Sequence, residues 1–291
     1  MYILINFLVL IIVIFIYTHI FTNIKTSNYL EIYEIFFTSK DKIEDLCNLK
    51  QPLLILENNT VFEYLTDINS DFIKEHYSSF DVNVFNKDNL EIPLNILFNK
   101  SLELFDKDSS NNYISENNSS FLEDTTLDKV FLNIDEFFTP SSVSFKYHDI
   151  IFGGINSYTK LKYSLNCRNY ILVNSGSIEL TLTLPKNKKY LHTYKSNHNL
   201  DVFSSIDIYN VDEKYRKDYN KIKFLRITLT KGQMIHIPAY WFYSIRLLEK
   251  NTYILNLQYR TLMNSLSIFP DILIKYIQDN NIKTNFTKII S

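Results

Sequence analysis

From Tyr2 to Phe21 the chain is apolar at nearly every position and carries no charged residue. About 20 apolar residues of helix span a bilayer core, so residues 2–22 predict a single-pass membrane anchor. No basic leader and no small-x-small site near Tyr17 to Asn23 accompanies the run, so it is expected to be retained rather than cleaved as a signal peptide. Lys25 and Lys40 follow the span and no Lys or Arg precedes it, which by the positive-inside rule points to a cytosolic body. Sequons at Asn58, Asn99, Asn117, Asn118 and Asn285 would permit the opposite side, but an asparagine-rich chain generates such triplets by chance.

Beyond the anchor the pattern changes period. Thr38-Ser-Lys-Asp41 has capping-box spacing and opens a short helix through Leu46 and Leu49, which Gln51-Pro52 ends before the strand Leu53 to Glu57. Thr60-Val-Phe-Glu63 predicts another capped helix. Asp81 to Phe85 alternates as a strand, and Pro93 to Phe105 has helical spacing at Leu94, Ile96, Leu97, Leu102 and Leu104. The polar stretch Asp106 to Asn118 predicts an exposed loop.

Between Ser142 and Leu184 the signals are β throughout, with Gly153-Gly154, Asn166 and Ser175-Gly176 marking turns. Lys186 to Asn220 is polar and predicts a long irregular connection. Phe224 to Thr230 alternates again, Gly232 turns the chain, and Met234 to Ile237 returns until Pro238 ends the strand. Ala239 to Tyr243 then sets out in a new direction with aromatic side chains on both faces. Asn251 to Arg260 reads as the last strand, and Pro270 to Asp279 as a helix packing through Ile272, Leu273, Tyr276 and Ile277. Short strands at this spacing predict a sandwich or closed jelly roll.

Composition narrows the function classes. A hydrophobic content of 46% in 291 residues gives length and apolar surface for a substantial core. Lys and Arg number 30 against 32 acidic residues, so there is no basic field and no nucleic-acid partner is expected. Two cysteines, Cys47 and Cys167, exclude a disulfide scaffold and lack zinc-site spacing; their pairing is not readable from sequence.

The stretch Gly232 to Tyr243, with its Ile237-Pro238 and Trp241, resembles the second metal-ligand strand of the JmjC-like cupins. These are iron and 2-oxoglutarate-dependent oxygenases whose pattern runs Gly-Asp-x-x-x-Ile-Pro-x-x-Trp-x-His. Thr159, Asn169, Gly176 and Pro185 fall where that family has Thr, Asn, Gly and Pro around its first ligand strand, with one extra residue before Asn169. Arg168-Asn-Tyr170 and Pro238 to Ser244 are further similar to anchored cupin-like proteins of large DNA viruses of eukaryotes. The resemblance implies a mainly β fold with flanking helices, a double-stranded β-helix of the jelly-roll type. Its divisions would be an anchor at 1–24, a helical and strand lead-in at 25–135, a jelly-roll core at 136–265 and a C-terminal helix and tail at 266–291.

The resemblance also places the chemistry, and the residues there are the wrong ones. Lys162 stands at the histidine position, Ser164 at the aspartate position and Tyr243 at the distal histidine position. Ile178 replaces the lysine that pairs with the 2-oxoglutarate carboxylate. A ferrous facial site needs two imidazoles and a carboxylate, so no cofactor is expected and the domain reads as a non-catalytic structural or interaction module with an unknown protein partner. The alternative is an atypical oxygenase of the hydroxylase or demethylase class, which would need Fe(II) and 2-oxoglutarate. Lys162 itself leaves two readings: an internal polar plug formed with Ser164, Tyr243 and backbone carbonyls, or a small-anion pocket with Thr159, Arg168, Asn169, Tyr243 and Trp241 nearby.

The remaining histidines suggest no metal site. His192 and His198 read as solvated loop residues, His148 and Asp149 as neighbours on opposite faces of a strand, and His236 as a satisfied strand histidine.

Overall fold

A computed structural model describes residues 2–19, 25–56, 70–87, 89–195 and 200–281. The helix expected at Thr60, the loop residue His198 and the sequons at Asn58 and Asn285 lie outside the described residues.

The strands in chain order are β1 (Tyr33–Phe36), β2 (Leu53–Leu56), β3 (Asp81–Asn86), β4 (Asn89–Leu97), β5 (Tyr113–Ser115), β6 (Val143–Gly153), β7 (Lys162–Ser164), β8 (Arg168–Ser175), β9 (Ser177–Thr183), β10 (Thr193–Lys195), β11 (Asp201–Ser204), β12 (Leu225–Thr230), β13 (Met234–His236), β14 (Phe242–Leu247) and β15 (Tyr253–Thr261). They form a nine-stranded sheet in the order β1-β2-β13-β8-β15-β6-β5-β3-β4 and a six-stranded sheet in the order β10-β11-β7-β14-β9-β12. Through the second half the chain repeatedly crosses between the sheets: β6, β8, β13 and β15 lie in one, β7, β9, β12 and β14 in the other. That winding matches a jelly roll. Strands between residues 33 and 115 share the large sheet with strands between 143 and 261.

Period-two alternation sorts the side chains into three layers. Ile178, Leu180 and Leu182 of β9 face Ile171 and Val173 of β8 across the interior, joined by Ile245 and Leu247 of β14. The opposite face of the large sheet presents Tyr170, Leu172, Leu255 and Leu257, covered by Ile43, Phe98, Phe121, Phe131 and Ile134 from short helices. Outside the small sheet, Tyr163 and Phe242 pack among Leu161, Leu191, Val202 and Ile208. Each fully buried large apolar side chain stabilises by roughly 1.5–3 kcal/mol.

Two turns behave as their sequence requires. Gly232 and Gly176 adopt φ values of 85° and 73°, the left-handed region glycine enters without steric cost. After Pro238, Trp241 is fully buried and its indole N–H donates to the Lys50 carbonyl at 3.2 Å.

Several expectations are corrected. Pro93 to Leu97 belongs to strand β4, and the helix starts only at Phe98. β4 is the outer strand of the large sheet, where a proline is tolerated. The polar stretch before Asn118 contains β5, and the connection after Pro185 contains β10 and β11. Ser39 precedes the helix Lys40–Cys47, but its side chain makes no cap bond. In the C-terminal helix Phe269–Asn281, Ile272 packs against the body while Leu273, Tyr276 and Ile277 are exposed. Cys47 and Cys167 are both free and buried.

Among the described residues no helix is long and apolar enough to cross a membrane. The N-terminal run does form a helix, Tyr2–His19, of 18 residues. It is roughly 27 Å long at 1.5 Å per residue, a little under the hydrocarbon thickness of about 30 Å. From Tyr2 to Tyr17 its side chains are exposed all round.

Candidate functional site

The candidate site forms where β7 crosses the interior of the small sheet. Alternation turns Lys162 and Ser164 inward and sends Tyr163 to the outer layer. Tyr243 of β14 lies directly opposite Lys162, and Asp201 of β11 opposite Ser164. Thus three residues expected to cluster, Lys162, Ser164 and Tyr243, do come together.

The Lys162 ammonium does not rest on the partners expected for it. It donates to Glu116 Oε2 at 2.8 Å and lies 3.2 Å from Asp201 Oδ2. All three side chains are about 4% exposed or less. Burial alone would drive the lysine toward neutrality, but Glu116 and Asp201 outweigh it and raise its pKa well above the ordinary value. Burial also pushes the Asp201 carboxyl up, against the pull of Lys162. The plug expected from Ser164, Tyr243 and carbonyls is therefore, in the structure, a lysine held between two carboxylates.

Glu116 is delivered by a tightly tied turn after β5. Asp149 of β6 accepts the backbone N–H groups of Asn117 at 2.9 Å and Asn118 at 2.6 Å. The Asn118 side chain accepts from the Asn83 backbone and donates to Ser115 Oγ and the Ile150 carbonyl. Asp149 is itself buried, and burial pushes its carboxyl up to about 7 despite those backbone donors. Behind it His148 faces the helix layer, stacked on Phe131 and 2.9 Å from Asp135, so the two neighbours do point to opposite faces.

The polar end of the interior is incompletely paired. Asn256 Oδ1 is buried without a hydrogen-bond partner among the described residues, and the Tyr243 hydroxyl and the Asn169 amide face each other there. Burial pushes the Tyr243 phenol up, so it stays neutral.

These residues do not fit a ferrous centre. A protonated amine has no lone pair to donate, a serine hydroxyl is a weak ligand and a neutral phenol cannot replace imidazole. Among the described residues no group of three His, Cys, Asp or Glu side chains could hold a metal ion. Ile178 is wholly buried in the apolar cluster, opposite Leu229 and Leu247, and offers no cation to a dicarboxylate.

The other candidate pocket residues separate. Asn169 faces inward, on the same side of β8 as Ile171. Arg168 points to the helix layer, where its guanidinium donates to Asn48 Oδ1 at 2.7 Å. Alternation along β8 requires this, so Arg168 is not a pocket residue. Trp241 is engaged with Lys50. Thr159 bonds β14, accepting from the Ile245 backbone and from Ser244 Oγ. His236, expected to be satisfied, is fully buried; burial first, then Arg168 and Lys50, hold its pKa well below the ordinary value against a backbone hydrogen bond at Cys167. His192 is half-exposed and pairs with Asp218 at 3.0 Å.

Glu116 and Asp201 were not legible as site residues. Each lies in a polar stretch that reads as loop, and only the short apolar flanks Tyr113-Ile114 and Val202-Phe203 hint at strands there.

A profile of the cupin-like domain matches residues 41–265. Comparison with curated proteins returned no match. The profile covers well over half the chain and spans both sheets, so the chain belongs to the cupin-like domain family.

Proposed function

We propose that this chain is a non-catalytic cupin-like module, a structural or interaction domain held at a membrane by residues 2–22. The observation that carries the first part is the Lys162 ammonium, seated between Glu116 and Asp201 where the resemblance puts a metal ligand. A cation fixed to the chain takes the place of a cation bound from solution. The two carboxylates also weigh against a small-anion pocket, because Lys162 has no uncompensated charge to offer. The anchor rests on the apolar, exposed helix Tyr2–His19, since a helix apolar on every side has no stable place in water. A kinship with anchored cupin-like proteins of large DNA viruses rests on Arg168-Asn-Tyr170 and Pro238 to Ser244.

The test uses the full chain in neutral detergent, loaded without oxygen with ferrous iron and 2-oxoglutarate, followed by metal stoichiometry from elemental analysis. Substoichiometric iron and no thermal stabilisation by 2-oxoglutarate are expected. One iron per chain, lost on Asp201→Asn or Tyr243→Phe, would overturn the reading in favour of an atypical oxygenase.

A further inference from the structure

A surface cleft of about 460 Å³ lies away from the barrel interior, between the turn Pro185–Tyr190 and the segment leading into β12. Lys186, Lys189, Lys221 and Lys223 line it, and no acidic residue does. Lys221 is paired with Asp218 at 2.7 Å. Lys186, Lys189 and Lys223 are exposed and make no ion pair among the described residues. In a chain of net charge -2 this is a concentrated positive site.

The lysines are held together by the fold. Thr183 Oγ1 donates to the Lys223 carbonyl at 2.7 Å and accepts from the buried Asn187 amide at 2.7 Å. That chain of bonds clamps the two lysine-bearing segments to each other. Lys189 and Lys221 also approach one aromatic ring, Tyr190, at 4.8 and 5.0 Å from its centroid. Like charges gathered on a fixed scaffold, against their own repulsion, favour a bound anion.

Part of the remaining wall is apolar. Leu30 and Leu184 complete the lining with Asn28, nine positions after the helix ends at His19. We infer that this cleft binds the phosphate of an anionic phospholipid, with the ammonium groups of Lys186, Lys189 and Lys223 on the phosphate oxygens and Leu30 and Leu184 beside the glycerol end. The ligand is thus amphipathic, like the cleft. Electrostatic attraction of this kind adds to an apolar anchor and gives it lipid selectivity.

The test is calorimetric titration of the full chain in neutral detergent micelles with short-chain phosphatidic acid, phosphatidylcholine and inorganic phosphate in separate arms. Phosphatidic acid binds, weakens as salt is raised, and loses affinity on the order of a hundredfold in Lys186→Ala/Lys189→Ala/Lys223→Ala. Changing three exposed lysines elsewhere, Lys74, Lys129 and Lys231, to alanine leaves binding unchanged. Equal binding by the parent and the cleft variant, equal binding of phosphatidylcholine, or no binding of phosphatidic acid would overturn the site. Inorganic phosphate binding as tightly as phosphatidic acid would overturn the lipid assignment and make the ligand a free phosphate. Micelles carry no bilayer, so this outcome is independent of whether the N-terminal helix anchors the chain.

Discussion

Lys162 and Glu116 are 46 positions apart in sequence and 2.8 Å apart in the barrel interior, the lysine on a strand of the small sheet and the glutamate at the end of a strand of the large one. The contact therefore bridges the two sheets. Removing one member of such a pair leaves a buried charge uncompensated, which costs far more than the pair as a whole contributes.

Lys162→Met is accordingly expected to destabilise the protein by on the order of 3–5 kcal/mol at neutral pH. Adding Glu116→Gln and Asp201→Asn to the same chain is expected to recover most of that loss. Urea unfolding of the single and triple variants measures both, and a loss under about 1 kcal/mol for the single change, typical of an exposed pair, would show that the charges are solvated.

Asp149 predicts the shape of the pH profile. Its folded pKa, raised to about 7, exceeds the unfolded value of about 3.9, so the folded protein binds the proton more tightly. The stability gained this way is complete below the unfolded pKa and is lost as pH rises through about 7. The upper bound is roughly 4 kcal/mol. Asp149→Asn lowers stability outright, because its amide would face the Asn117 or Asn118 N–H, but it flattens the slope between these limits. Denaturation midpoints across that range decide the matter; parallel slopes would remove Asp149 as the cause.

Gly176 links β8 to β9 at φ 73°, and a β-carbon there would fall 2.2 Å from Thr252 Oγ1. Gly176→Ala is expected to lower the melting temperature, through a loss of about 1–3 kcal/mol from backbone strain and displacement of Thr252. Adding Thr252→Ser does not repair it, since the left-handed backbone and the hydroxyl both remain. Calorimetry of the two variants reads this directly.

The anchor is tested by extraction. Full-length chain in vesicles of neutral lipid is expected to stay with the membrane through alkaline carbonate washing, and Ile11→Asp/Ile12→Asp to release it. Two charges at the centre of a span cost several kcal/mol. Retention of the double variant would assign membrane binding to another surface, such as the exposed Leu273, Tyr276 and Ile277 of the C-terminal helix.

How much of this was legible follows from what kind of signal each part leaves. In β9 and β12 apolar residues alternate with polar ones, so Ile178, Leu180, Leu182 and Leu229 stand out against their neighbours. The inward position of Lys162 could be read because it sits on a strand within a recognisable pattern. Glu116 and Asp201 could not, because an ion pair between distant segments has no spacing rule. β4 misled for a different reason: its Leu94, Ile96 and Leu97 fit a helical stripe as well as an edge strand, and only pairing with β3 decides between them. Arg168 was assigned to the pocket by resemblance, whereas the parity of β8 puts it on the other face.

The pairing of β2 with β13 has a consequence for biosynthesis. Ile55 waits for Met234 and Leu53 for His236, partners that a ribosome adding 5–20 residues per second delivers roughly 10 to 40 s later. Over that interval the run Leu-Leu-Ile-Leu has only β1 beside it, an unpaired apolar edge on a nascent chain. Slowing elongation late in the message is therefore expected to lower the soluble yield, and a chaperone able to cover residues 53–56 during translation to restore it.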